Sequence, residues 1–95
     1  MFGGHGVYID GLIVGLVIDD SLYLKTDDET RAWFEERGLA PFAYASARRG
    51  TVVTGYYAPP DGALETRAEM TPWLRLALAA SRRAAARRVR RAGKK

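Results

Sequence analysis

The chain of 95 residues contains no cysteine and a single histidine, His5. The lack of cysteine excludes a disulfide framework, thiol catalysis and a zinc site built on thiolates, and one histidine excludes a histidine-rich metal centre. No apolar run reaches the roughly 18 residues of a membrane span. The first residues also lack the basic and then apolar pattern of a secretory signal. We therefore expect a cytoplasmic domain with one hydrophobic core, no bound cofactor and no membrane partner.

Acidic residues are missing from the C-terminal end of the chain. Residues 82–95 hold eight Lys or Arg and no Asp or Glu, whereas residues 1–81 hold seven Lys or Arg and all eleven acidic residues. The two parts thus carry net charges of +8 and −4, and the overall charge of +4 describes neither of them. We interpret residues 1–81 as a mildly acidic folded domain and residues 82–95 as a basic helical tail.

Three short strands are predicted in the first 25 residues. Asp10-Gly11 favours a two-residue hairpin turn, which would pair Ile9 with Leu12 and Val7 with Val14. The segment 12–18 is apolar throughout, which is typical of a buried strand.

The turn after the second strand sets which of its side chains face the core. A three-residue loop at Asp19-Asp20-Ser21 would place Ile18 opposite Leu22. Ile13 and Val17 would then lie on the outer face of the sheet, where loops or a second chain would have to cover them.

The rest of the domain is predicted to contain two helices and a second hairpin. Thr26-Asp27-Asp28-Glu29 has the form of a capping box, so a helix is expected over about residues 27–37, with Trp33 and Phe34 turned inward. The next hairpin would have strands near residues 42–44 and 51–57. From about Leu64 the apolar period becomes helical, and it continues into the basic tail. The order β-β-β-α-β-β-α predicts an α+β fold of two layers, an antiparallel sheet packed against helices.

The ordered succession of several short motifs resembles the TfoX (Sxy) N-terminal domain family. The opening has the pattern M-F-G-G-x-G-hydrophobic-aromatic-x-D-G, and the resemblance extends over about residues 1–81. The matching segments in order are Met1–Gly11, Leu22–Lys25 with Asp27-Asp28, Phe34 with Gly38, Pro41–Tyr44, Tyr56-Tyr57 with a following proline, and Trp73 with Ala77 and Ala80.

The resemblance implies a fold and a class of function. The family pattern is α-β-β-β-α-β-β-α, so this chain is expected to lack the first helix, and its start is expected to be truncated relative to its relatives. A sheet face left without that helix would lower stability or be buried in a homodimer. Founding members regulate natural competence in bacteria together with the cyclic-AMP receptor protein, which implies a regulatory domain that binds a protein partner such as a transcription factor. They also have a second, C-terminal domain, and the resemblance of this chain is to the first domain alone.

Residues that could carry chemistry have structural explanations as well. The acidic pairs Asp19-Asp20 and Asp27-Asp28 could bind Mg²⁺, but turn formation and helix capping explain them. The glycines at residues 3–6 lack the strand, helix and lysine of a phosphate-binding loop.

A set of aromatic residues could form a stacking platform for bases, or could be core and cross-strand packing. This set comprises Tyr44, Tyr56, Tyr57 and Trp73, with Arg48 and Arg49 beside them. We predict neither a catalytic nor a metal-binding residue, and so no enzyme.

The basic tail is the strongest functional feature of the sequence. Its arginines would give salt-sensitive, sequence-tolerant binding to DNA or RNA, or contacts with an acidic protein. Its apolar stripe is mostly alanine, which argues against a membrane surface, and a merely solvated tail is the third interpretation. The candidate contact residues are Arg82, Arg83, Arg87, Arg88, Arg90, Arg91, Lys94 and Lys95. The sequence thus favours a non-enzymatic regulatory or protein-interaction domain, with a nucleic-acid-binding accessory protein as the alternative.

Overall fold

The computed structural model describes residues 4–93, which form one antiparallel sheet and two helices. The strands are β1 (His5–Ile9), β2 (Leu12–Ile18), β3 (Ser21–Lys25), β4 (Pro41–Ser46) and β5 (Gly50–Tyr57). Their order across the sheet is β1-β2-β3-β5-β4. Helix α1 (Arg31–Glu35) joins β3 to β4, and a short 3₁₀ turn (Asp61–Leu64) leads into helix α2 (Arg67–Gly93). The predicted α+β class and the order of its elements are confirmed.

The first hairpin forms at the predicted turn. Asp10 and Gly11 both have positive φ, 52° and 78°, and Ile9 pairs with Leu12. The register then shifts, so that Val7 pairs with Gly15 instead of Val14. Val14 is the extra residue of this β-bulge, and its side chain is fully buried in the core.

The second turn is shorter than the sequence predicts. Asp19 and Asp20 both adopt positive φ, 52° and 63°, so two residues suffice for the turn, and Ile18 pairs with Ser21. Val17 consequently lies opposite Leu22, one residue away from the predicted register. Residues paired across two strands share a face, and Leu22 packs against the core, so the predicted outward position of Val17 is wrong.

Both helices pack on the face of the sheet that carries Leu24, which is fully buried. The ring of Phe34, also fully buried, lies 4.9 Å from that of Trp73 and 5.7 Å from that of Tyr57, measured between centroids. Aromatic packing at these distances adds to the free energy gained by burial. The core thus joins α1, α2 and β5 around one phenylalanine.

Helix α1 is shorter than expected, because Thr26 does not cap it. The Thr26 hydroxyl donates to the Gly55 carbonyl oxygen at 2.7 Å, and its backbone N–H donates to the same oxygen at 2.9 Å. The carboxylate of Asp27 instead accepts the backbone N–H groups of Glu29 and Thr30. Helix α1 therefore begins only at Arg31.

A helix of five residues buries only a narrow face. That face is taken by Phe34, so Trp33 next to it remains 55% exposed. The prediction that Trp33 points inward is wrong.

Helix α2 begins at a capping sequence that the prediction from sequence did not include. The Thr66 hydroxyl accepts the backbone N–H of Glu69 at 3.1 Å, and Thr-x-x-Glu is the capping-box pattern. The helix then continues without a break past Pro72 and through residue 82, where the charge pattern suggested the start of the basic tail. Within residues 4–93, neither helix has the length and apolarity needed to cross a membrane.

Candidate interaction surfaces

The surroundings of α2 change along its length. Ala77 and Ala80 are fully buried, and the Ser81 hydroxyl donates to the Ile13 carbonyl oxygen at 2.7 Å, beside the bulge in β2. From residue 86 to residue 91 every side chain is exposed, and Val89 is 71% exposed. The last turns of α2 therefore extend beyond the sheet.

The C-terminal part of α2, from residue 82 onward, carries five exposed arginines among the eight basic residues that the sequence indicates as partner contacts. Arg82, Arg87, Arg88, Arg90 and Arg91 are exposed, and within residues 4–93 none of them forms an ion pair. Residues three or four positions apart are neighbours on a helix, so the guanidinium groups repel each other unless an anion lies between them. Lys94 and Lys95, which complete the predicted set, lie outside the described residues.

Arg83 lies apart from the other basic residues, because it contacts the folded domain. Its Nε lies 2.6 Å from Oδ2 of Asp27, and its Nη2 lies 3.0 Å from Oδ1. The carboxylate of Glu29 adds a third oxygen, 3.2 Å from the same Nε. This two-pronged geometry is the strong form of an arginine–carboxylate pair. Arg83 thus joins α2 to the segment before α1.

The Arg83 pair controls the ionisation of Asp27. Hydrogen bonding from Arg83 lowers the pKa of the carboxyl from 3.8 to about 2, against the opposing effect of burial. The same contact raises the pKa of Arg83. Both groups are therefore charged at neutral pH, and Asp27 serves the fold rather than proton transfer.

The remaining acidic residues of the predicted pairs also have structural roles. Asp19 and Asp20 form the β2–β3 turn, and Asp28 makes an exposed ion pair of 3.1 Å with Arg31. In the part of the chain that the structure describes, no three His, Asp or Glu side chains are grouped so that they could hold a metal ion. The Mg²⁺ interpretation of these pairs gains nothing from the structure.

The aromatic residues considered as a stacking platform are divided between different surroundings. Trp73 and Tyr57 belong to the core, where the Tyr57 hydroxyl donates to Glu35 at 3.0 Å. Tyr56 instead lies under the ammonium group of Lys25, with the nitrogen 5.6 Å from the ring centroid. Tyr44 stacks with Phe42 on β4. These residues do not form one platform.

The sheet face away from the helices is apolar where β1, β2 and the middle of β3 form it. Tyr8 and Ile13 pair across β1 and β2, and Leu16 and Tyr23 pair across β2 and β3, so all four side chains share this face. Tyr8 is 63% exposed and the others are half-buried. Among residues 4–93 no helix packs here, since the core face receives both α1 and α2.

An aromatic cleft of about 490 Å³ opens between α1 and the start of α2. Its walls carry the two tryptophans of the chain, two prolines and charged side chains of both signs. The residues that line it include Trp33, Arg37, Pro60, Glu69, Pro72 and Trp73. The sequence did not predict this cleft, because the expected longer helix would have placed Trp33 in the core.

The fold and these surfaces define a small α+β domain with exposed contact surfaces. The sequence profile of the TfoX N-terminal domain matches residues 1–81. Since this match covers most of the chain, the protein belongs to the TfoX N-terminal domain family. A comparison with curated proteins finds no match.

Proposed function

We propose that this protein is a non-enzymatic regulatory domain that acts through protein partners in the cytoplasm. One observation carries the proposal: the polar groups suited to chemistry hold the fold together, whereas the exposed features are contact surfaces. Asp27 is bound by Arg83, and the Tyr57 hydroxyl is bound by Glu35. The exposed features are the arginines of α2, the aromatic cleft and the outer sheet face. Family membership supports a role in regulating transcription, including that of competence genes, with a transcription factor as the partner.

Deletion of the gene tests this role. We expect the abundance of a definable set of transcripts to change and to return when the full chain is supplied again. A second complementation, with Arg87, Arg88, Arg90 and Arg91 replaced by Ala, shows whether the end of α2 takes part. Transcript levels that stay the same after deletion would contradict a regulatory role.

The second candidate function, nucleic-acid binding, is favoured by the extension of α2. Five exposed arginines on a helix that leaves the domain form a basic surface that suits a phosphate backbone. Such side chains bind phosphates, so we propose binding with little preference for DNA or RNA sequence.

Fluorescence anisotropy with a short DNA duplex at several salt concentrations tests this candidate. Replacing the four arginines at 87, 88, 90 and 91 by Ala should weaken binding at low salt and reduce the slope of log K against log salt by roughly 0.9 for each phosphate that is no longer neutralised. A variant with four exposed arginines replaced elsewhere, at Arg48, Arg49, Arg67 and Arg75, carries the same net charge. If both variants lose the same affinity, net charge rather than the α2 surface explains binding.

A further inference from the structure

The aromatic cleft contains an exposed tryptophan that the fold does not use. The indole of Trp33 is 55% exposed, whereas its neighbour Phe34 is fully buried. Trp73 also lines the cleft, and only 8% of it is exposed. A volume of about 490 Å³ falls in the range of sites that bind ligands or peptide segments.

Apolar rings make up much of the cleft lining. Pro60 and Pro72 line the cleft together with the two indoles. Pro72 occupies an interior position of α2, where a proline leaves one helical hydrogen bond unmade. Its position in the wall of the cleft gives the ring an apolar surface to contribute. Rigid rings in the lining suit a ligand that is itself apolar and preformed.

The charges in the cleft indicate the sign of the ligand. The Arg37 guanidinium lies over the Trp73 ring, 5.2 Å from its centroid, and is thereby held by the wall. Glu69 also lines the cleft, and within residues 4–93 it forms no ion pair. The lining thus has no excess of positive charge for a phosphate, and one carboxylate is available for a cation.

We propose that this cleft binds a proline-rich peptide segment that carries an arginine or lysine beside its prolines. A polyproline II helix is already extended before binding, so it loses little conformational entropy, and its rings pack against aromatic side chains. The basic side chain would pair with Glu69. The inference rests on the proposed function, since it gives the chemistry of one partner.

Tryptophan fluorescence gives a direct test, because both tryptophans of the chain line the cleft. The full chain is titrated with a blocked peptide of nine residues that has a Pro-x-x-Pro core and one arginine beside it. We expect a saturable change in emission, and at least tenfold weaker binding of a peptide with alanine in place of proline. Absence of saturation at millimolar peptide, or equal binding of the alanine peptide, would overturn the proposal.

Variants assign any binding to the cleft. Trp33→Ala removes the exposed indole from the cleft and leaves Trp73 as the source of the fluorescence signal. We expect peptide binding to weaken about tenfold or more, as is usual for a central tryptophan. The control is Val53→Ala, which removes an exposed apolar side chain from β5, away from the cleft, and should bind like the wild type. Equal binding by Trp33→Ala would place the peptide elsewhere and refute the assignment.

A second variant keeps the test decisive if Trp33→Ala does not fold. Glu69→Gln should weaken binding of the arginine peptide severalfold, and should leave a peptide with glutamine in place of arginine unaffected. If AMP saturates the emission change and the peptide does not, the cleft is a nucleotide site and the proposal fails. These titrations contain no DNA and no transcript measurement, so their failure would leave the experiments on the proposed function as they stand.

Discussion

At the scale of single residues, Asp27 links more parts of the molecule than any other acidic side chain described. Its carboxylate accepts two backbone N–H groups before α1 and receives two nitrogens of Arg83 from α2. Only 9% of the residue is exposed, so its bonds are little weakened by competing water. The pair therefore connects positions 56 residues apart in sequence.

Asp27→Asn keeps an acceptor for the backbone but removes the charge. We expect the free energy of unfolding to fall by about 1.5–3 kcal/mol, the range for hydrogen bonds to charged groups, as measured by urea denaturation at pH 7. Asp28→Asn is the control, since its ion pair is exposed and should add little to stability. Equal losses in the two variants would show that the Arg83 pair is not the cause.

The same carboxylate predicts a pH dependence. Its pKa is about 2 in the folded chain against an ordinary value of 3.8, so the folded state prefers the charged form. The stabilisation is complete above about pH 5 and is lost as the pH falls from about 4 towards 2. Urea denaturation at pH 7, 4 and 2.5 should show the difference between the wild type and Asp27→Asn shrinking. A constant difference at all three values would contradict the pKa argument.

At the scale of the elements, the start of α2 depends on one hydroxyl. Thr66→Ala removes the acceptor for the Glu69 N–H, and we expect a loss of about 1 kcal/mol in the free energy of unfolding. Thr71→Ala provides the control within the same helix. Its hydroxyl donates to the Arg67 carbonyl oxygen one turn earlier, and alanine at such an interior position is neutral or stabilising. Thermal unfolding followed by circular dichroism at 222 nm measures both, and a larger loss for Thr71→Ala would refute the capping role.

Local chemistry made some elements predictable and not others. The turn at Asp10-Gly11 follows from residues that tolerate positive φ, and the alternation of strand and helix periods fixed the order of elements. The turn at Asp19-Asp20 needed two aspartates in the same unusual conformation, which the residue types alone do not require. The length of this turn sets the register of β2 with β3. Because the turn is one residue shorter than predicted, Val17 rather than Ile18 lies opposite Leu22.

The candidate surfaces were predictable only where they depend on charge along the chain. The exposed arginines of α2 follow from a run of basic residues without acids. The Asp27–Arg83 pair could not be predicted, because it depends on how α2 crosses the sheet. Likewise, the cleft exists only because α1 is too short to bury both Trp33 and Phe34, and the sequence suggested a helix twice as long.

At the scale of the whole molecule, we propose that the apolar outer face is covered by a second copy of this chain. Tyr8, Ile13, Leu16 and Tyr23 carry no charge, and Lys25 on the same face lies over the Tyr56 ring of β5. Two copies can therefore meet over β1, β2 and the middle of β3 without placing like charges opposite each other. Size-exclusion chromatography with light scattering should then give twice the monomer mass of 10.5 kDa.

Two substitutions distinguish this interface from other surfaces. Tyr8→Asp should produce a monomer, because it buries an unpaired charge in the interface. Leu64→Asp changes an equally exposed apolar residue, 60% against 63%, and should leave the dimer intact. A wild-type chain that elutes as a monomer at all concentrations would show that a second copy does not cover the face.

The continuity of α2 also fixes a distance. Trp73, in the wall of the cleft, and Arg90, in the exposed arginine segment, lie on one unbroken helix. At a rise of 1.5 Å per residue they are separated by roughly 25 Å along the axis. A peptide in the cleft and an acidic molecule at the arginines would be held at a set spacing by a rigid rod, with no linker to let them approach. The protein would then set the distance between two partners, and lengthening α2 by one turn would increase that distance by about 5 Å.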